Sequence, residues 1–335
     1  EICHLQKSAR DHTGFDMMGV RLWGVRSQIP RPLTTAAYQA RLEELLASFV
    51  QAGSDAVAPG SWLREQSPAL NRLIGGNTAC ISVQLGDDIL ILEAGTGLYD
   101  LGQHICQQNK HAHQPTRIHI CLSHIHRDRI QGLPDFAPLY QSGYQIHFYY
   151  PEPNLELRLV RLQSPPYFEA ALDAVAADVR FHTLQDLDGS YPRFATDHWQ
   201  LQCCPLIHPG GSYAWRIQGA KSSLVYAGAG KIGANHLQSD GRGAAFFADA
   251  DLLFLDARPE LNSQNPLSWG HYTYEQALET AVQCNARHLF LFNHGPDDSD
   301  AKLWTAWQAL TTDQGNKKPQ VHLAREGMEI AARPA

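Results

Sequence analysis

Apolar and polar positions switch period several times along the chain, and the switches mark its elements. Val20-Arg21-Leu22-Trp23-Gly24-Val25 alternates with period two, which predicts a strand, and Ile29-Pro30-Arg31-Pro32 stops it because proline cannot donate to a sheet ladder. Over residues 36–50 the period becomes helical, with Tyr38, Leu42, Leu45, Leu46 and Phe49 on one stripe, until Ala52-Gly53-Ser54-Asp55 and Pro59-Gly60 dissolve it. Gly75-Gly76-Asn77 then turns into two strands at 79–85 and 89–93, joined through Gly86-Asp87-Asp88 as a hairpin, so the first layer of sheet is expected to be antiparallel.

Ala94-Gly95-Thr96-Gly97 leads into a helix ending near 108, and the buried run at 117–122 predicts the next strand. Further strands are expected at 145–150, 180–183, 199–206, 213–217, 223–226, 252–255 and 289–292, with helices at 153–162, 168–177, 272–284 and 301–312. Strand runs with helices between and after them fit an α/β (α+β) arrangement of two mostly antiparallel sheets, face to face and covered by helices. We expect a polar lead-in over 1–18, then one domain over 19–335 carrying a helical insertion at about 34–72. The aromatics Tyr140, Tyr144, Phe148, Tyr149 and Tyr150 are assigned to the core and its margins, and Glu275 and Glu279 to a solvated helix face.

Composition narrows the partners. A formal charge of −7 argues against a generally basic nucleic-acid surface, and the seven cysteines show no CxxC pair, which suits a reducing, cytoplasmic setting. No apolar run approaches the roughly 20 residues that cross a bilayer, so no membrane is expected. Histidine is so abundant, at 17, that spacing must decide which ones matter.

The spacing that decides is Ser123-His124-Ile125-His126-Arg127-Asp128-Arg129. Histidines two apart on a loop at a strand end can turn both imidazoles to one point, with a carboxylate close behind. Arg129 interrupts the pattern: a guanidinium has five donors and no lone pair, so it cannot hold a metal, although it could grip a phosphate or carboxylate.

Several motifs in one order carry a resemblance. Trp23-Gly24-Val25-Arg26, Gly75-Gly76-Asn77-Thr78, Glu93-Ala94-Gly95-Thr96-Gly97, the His124 loop, Leu206-Ile207-His208-Pro209-Gly210-Gly211, Trp269-Gly270-His271-Tyr272-Thr273 and Phe292-Asn293-His294-Gly295-Pro296 together resemble the metallo-β-lactamase-fold hydrolases, in the branch of ribonuclease Z and the phosphodiesterase-like proteins. The resemblance implies an αββα sandwich with ligands on loops at one edge, where two zinc or manganese ions activate water, commonly against phosphodiesters. It matches His124, His126 and His208 to the imidazoles of the first metal, and Asp128 to the aspartate that reaches the second. Arg129 stands where the second metal takes a histidine, Ala229 where a bridging aspartate belongs, and Asn293 where the final histidine does, unless adjacent His294 fills that place. Glu93 stands where the family usually has aspartate.

Two ions about 3.5–4 Å apart need a bridging carboxylate to offset their repulsion, and the Ala229 methyl offers none. At most one zinc ion is therefore expected, on His124, His126 and His208, with Arg129 paired to Asp128 and Lys231 adding to that charge if it turns inward. His208 also reads as a turn residue. His271 reads either as the donor of a proton to a leaving group or as part of a helix N-terminal loop. Two functions follow. One is a pseudoenzyme or ligand-binding protein for a small-molecule or phosphate-bearing ligand, with little or no hydrolase activity. The other is a mono-zinc hydrolase of a phosphodiester substrate, nucleotide or RNA-like, using Asp128 and His271. The insertion at 34–72 either crosses the cleft mouth or packs on a second subunit in a homodimer.

Overall fold

The computed structural model describes residues 18–53, 58–109, 114–184, 191–238, 242–260, 270–314 and 318–332. Apart from Met18, the expected lead-in lies outside these residues, as does Trp269 of the motif at His271. Strands are numbered along the chain. One sheet contains β1 (Met18–Gly24), β2 (Cys80–Leu85), β3 (Asp88–Leu92), β4 (Thr116–Cys121), β5 (Tyr144–Tyr150), β6 (Asp178–Thr183) and β15 (Glu329–Ala332), in the order β15-β1-β2-β3-β4-β5-β6. The other contains β7 (Arg193–Ala195), β8 (Gln200–Leu206), β9 (Ser212–Gln218), β10 (Ser223–Ala227), β11 (Leu252–Arg258), β13 (His288–Phe292) and β14 (Gln320–Leu323), in the order β14-β13-β11-β10-β9-β8-β7, with β12 (Tyr272–Thr273) beside β11.

Both sheets are mixed, which corrects the mostly antiparallel expectation. The hairpin of β2 and β3 is antiparallel as predicted, and β1 also pairs antiparallel with β2, but β3, β4, β5 and β6 run parallel, as do β10, β11, β13 and β14. Parallel neighbours need a crossover, and helices supply several of them. The first is the fourth helix along the chain, α4 (Gly97–Gln108), between β3 and β4, whose buried Leu98, Leu101, Gly102 and Ile105 keep helical spacing; the three helices before it lie between β1 and β2. A Cβ at Gly97 would sit 2.3 Å from the Trp23 carbonyl oxygen, so only glycine lets α4 start against β1.

Alternation along the first sheet separates two cores. Ile118, Ile120, Ile146 and Phe148 face α4, while Val83, Leu90, Cys121 and Tyr149 join Trp199, Trp215, Tyr226, Phe254 and Phe292 between the sheets. Tyr144 and Tyr150 are buried too and Tyr140 lies at the margin, 37% exposed, as the sequence suggested. Strand β11 is buried at all seven positions, as befits a central parallel strand covered on both faces.

The predicted helix at 168–177 is not formed beyond a 3-10 turn at Leu172–Ala174. Its backbone donors are taken elsewhere: Leu172 N–H bonds to the Gln163 carbonyl, and Ala176 and Ala177 both bond to that of Leu139. The predicted helix at 36–50 does form, as Thr35–Gln51, followed by short helices at Pro59–Glu65 and Pro68–Asn71. It is clamped by Arg41, which donates to the Ala69 and Leu70 carbonyls, but no residue of it is fully buried and Tyr38, Leu42 and Leu46 are exposed.

Candidate metal centre

The loops that matter leave the carboxyl ends of β3, β4, β8, β10, β11 and β13, the edge where parallel sheets leave room for ligands. His124 and His126 follow β4, and His208 follows β8 on a turn closed by the Gly211 N–H on the His208 carbonyl, with Gly210 and Gly211 at φ 87° and 84°. The turn and the ligand reading of His208 are thus compatible. Ring centroids lie 4.4 Å apart for His124 and His126, 4.6 Å for His124 and His208, and 5.2 Å for His126 and His208. One ligand atom from each falls within 4.8 Å of the others, making this the one such group among the described residues.

Three observations suit the trio to zinc. Ser123 Oγ lies 2.9 Å from His124 Nδ1, which reserves Nε2 for the cluster. His208 Nδ1 is buried with no hydrogen-bond partner. Burial, then the charge of Arg129 and the two neighbouring imidazoles, holds His124 well below the usual histidine range; burial, His126 and Arg129 lower His208 too. Both stay in the neutral form that ligates.

Behind the trio lies Arg129, 2% exposed. Its Nε is 3.3 Å from Asp128 Oδ2, which also accepts the Gln28 N–H at 3.0 Å. Nη1 donates to the Tyr226 hydroxyl at 3.3 Å, and Nη2 to Asn293 Oδ1 at 2.7 Å and to the Gly228 carbonyl at 3.4 Å. Burial alone would lower the guanidinium pKa, but Asp128, Tyr226, Glu93 and Asp256 raise it, so the charge is fixed. With both terminal nitrogens committed to the protein, Arg129 is not placed to grip a ligand anion. Ala229 is buried, at 1%, one residue beyond the carbonyl that Arg129 holds. Glu93, fully buried, accepts the Ser123 N–H at 3.3 Å; burial raises its pKa while Arg129 opposes that rise.

Asn293, not His294, faces this centre. His294 turns away, its Nε2 2.8 Å from the Ala324 carbonyl and its backbone N–H on Val25. Lys231 also points outward, bonding Gln276 Oε1 and covering the Tyr272 ring. His271 is 9% exposed and places Nδ1 2.7 Å from Asp256 Oδ1. The helix-start reading holds for its neighbour: Thr273 caps Tyr274–Gln283 through a capping box with Gln276, and Glu275 and Glu279 lie on the exposed face. Asp256 and Tyr226 were not singled out from sequence. The signal for Asp256 was a carboxylate directly after the apolar run Leu252–Leu255, where a buried parallel strand delivers it to the cleft edge.

Two helix-flanked mixed sheets with a histidine loop at the strand ends define a metallo-β-lactamase-type fold. The chain belongs to the beta-lactamase superfamily, whose domain profile matches residues 90–294, more than half of its length. No curated protein matches it in sequence. Among solved structures it is similar to the metallo-β-lactamase fold protein YhfI of Bacillus subtilis, with 16% identity, TM-score 0.60, and 94% of this chain and 99% of that one covered. A diphosphatase of the PhnP family gives 16% identity and TM-score 0.57 over 94% and 97% of the two chains. Human tRNase Z, short form, gives 17% and 0.56 over 94% and 99%. At such identities the likeness is one of fold. Among the described residues no helix is long and apolar enough to cross a membrane.

Proposed function

We propose that this protein binds a phosphate-bearing ligand in a cleft with a site for one zinc ion at His124, His126 and His208, and has little or no hydrolase activity. The observation that carries this reading is the buried Arg129, whose guanidinium bonds Asn293 and pairs with Asp128 where relatives of this fold would place a second ion. Ala229 supplies no bridging carboxylate, and Asp128 is already engaged by Gln28 and Arg129. When bound, zinc would supply a Lewis acid to a phosphoryl oxygen. The chain's own part is to hold the imidazoles of His124 and His208 neutral beside that of His126, to keep Asp128 turned toward Arg129, and to present His271 beside the His208 loop. The phosphate class follows the folds this chain is similar to, among them a diphosphatase and a tRNase. We further propose a cytoplasmic protein of one domain with a helical insertion at about 34–72, which either crosses the cleft mouth or packs on a second copy.

The second reading, a mono-zinc phosphodiesterase, is favoured by the Asp256–His271 pair, which could give a proton to a leaving alkoxide. Metal analysis and hydrolysis of bis(4-nitrophenyl) phosphate separate the two. We expect no more than one zinc per chain and no turnover above buffer. Two ions per chain would overturn the one-ion centre, and turnover abolished by His126→Ala would establish the hydrolase.

A further inference from the structure

Four buried side chains are joined end to end behind the centre. Arg129 Nη2 donates to Asn293 Oδ1 over 2.7 Å, Asn293 Nδ2 donates to Asp256 Oδ2 over 2.8 Å, and Asp256 Oδ1 lies 2.7 Å from His271 Nδ1. None of the four is more than 9% exposed. The direction of the run is fixed by chemistry: a guanidinium only donates and a carboxylate only accepts, so the residue between them must accept on one atom and donate from another. A carboxamide does that and neither Asp nor Leu can. Asn293 also sits at φ 64°, a left-handed conformation that asparagine tolerates better than most residues, directly after strand β13. At the far end, His271 adjoins the metal loop: a Cβ on Gly270 would lie 3.4 Å from the Ile207 carbonyl oxygen and 3.9 Å from His208 Cα.

We propose that Arg129 and Asn293 are positioning residues for His271. The guanidinium orients the carboxamide, the carboxamide orients the Asp256 carboxylate, and the carboxylate keeps a proton on His271 Nδ1, which fixes the tautomer in which Nε2 is the acceptor. The alignment of this histidine stands on the hydrogen-bonded run alone; only its service to a ligand rests on the function proposed above. An Asp256 carboxylate with donors on both oxygens has one rotamer, and an imidazole bonded to it has one tautomer.

Nitrogen-15 NMR of the whole protein tests the run without any need for turnover. In the unaltered protein the His271 Nδ1–H and the Asn293 side-chain N–H pair should be resolved and protected from solvent exchange, with the His271 signal assigned by its loss in His271→Asn. Asn293→Asp is isosteric and keeps the acceptor for Arg129, but sets a carboxylate against Asp256. The His271 Nδ1–H should then vanish into solvent exchange, whereas Asp128→Asn, which alters Arg129 outside the run, should retain it. An unchanged His271 signal in Asn293→Asp would overturn the proposal. So would rapid exchange of the Asn293 amide protons in the unaltered protein, a measurement that stands even if the variant does not fold. Protected signals combined with no binding of inorganic phosphate would uphold the run and remove the phosphate ligand instead.

Discussion

Replacing Arg129 by Met tests whether the guanidinium holds the cleft together, because Met keeps most of the stem volume and removes the charge. The change deletes a 2.7 Å bond to Asn293, two longer bonds to Tyr226 and the Gly228 carbonyl, and a 3.3 Å pairing with Asp128. Removing one partner of a buried charged pair costs about 3–5 kcal/mol. Asp128 keeps the Gln28 N–H and its side chain is 11% exposed, so some water reaches it and the lower end of that range applies. We expect a loss of about 3 kcal/mol, roughly a hundredfold in the folding equilibrium. Urea unfolding in the presence of EDTA, read by tryptophan fluorescence from the fully buried Trp199 and Trp215, measures it without any contribution from bound metal. The exposed neighbour Arg127→Met is the control and should stay within about 0.5 kcal/mol. A loss below about 1 kcal/mol for Arg129→Met would refute the clamp, since the side chain would then be replaceable by any apolar filler. A cycle with Asn293→Leu should show coupling of about 1–2 kcal/mol, because both variants delete the same short bond.

Arg129→His together with Ala229→Asp should create a second-ion site, read as two metal ions per chain; no gain would mean that these two positions do not face one pocket. Zinc at about a hundred times its Kd should stabilise the protein by about 2.7 kcal/mol, and His126→Ala should abolish that gain while leaving the metal-free protein nearly unchanged, because His126 is exposed. Two sets of buried groups titrate with opposite sign on the acid side of neutrality. Burial raises Glu326 to about 7, so its contribution is complete below the ordinary carboxyl pKa and is lost as pH rises through 7. Burial lowers His294 to about 3 and His322 to about 4, so their contribution is complete above 6.5 and is lost as pH falls toward those values. Glu326→Gln should remove the loss that Glu326 causes as pH rises from about 4.5 to 7, gaining on the unaltered protein by up to about 3 kcal/mol at pH 7 and above relative to pH 4.5; parallel profiles would contradict the assignment.

The loop from Ser123 to Arg129 was legible because strand-end histidines two apart carry their geometry with them, whatever the rest of the chain does. The hairpin between β2 and β3 and the helix α4 were legible for the same local reason. Strand direction was not: β3 and β4 are joined across α4, and nothing within either strand records its partner. The stripe of Tyr38, Leu42, Leu45, Leu46 and Phe49 marked a helix but not its buried side, since Leu45 and Phe49 are half-buried while Leu46 is 62% exposed. Nor could spacing choose between Asn293 and His294, which are adjacent and differ only in which way the backbone turns at φ 64°.

On the function proposed above, Arg129 and Ala229 act as one unit. Around the guanidinium lie the carboxylates of Asp128 and Asp256, with Glu93 shifted toward its neutral form by burial. A single fixed cation with two nearby anions, one of them also served by Arg258 and His271, leaves little uncompensated charge. An additional aspartate at 229, next to the Gly228 carbonyl that Arg129 already holds, would add a third anion beside a guanidinium already shared between Asp128 and Asp256. Arginine without the loss of that aspartate, or the loss without arginine, would each bury unbalanced charge at a cost of several kcal/mol. Either single reversion should therefore destabilise the protein more than the double reversion does once metal is supplied, because only the double variant can balance its carboxylates with a second ion.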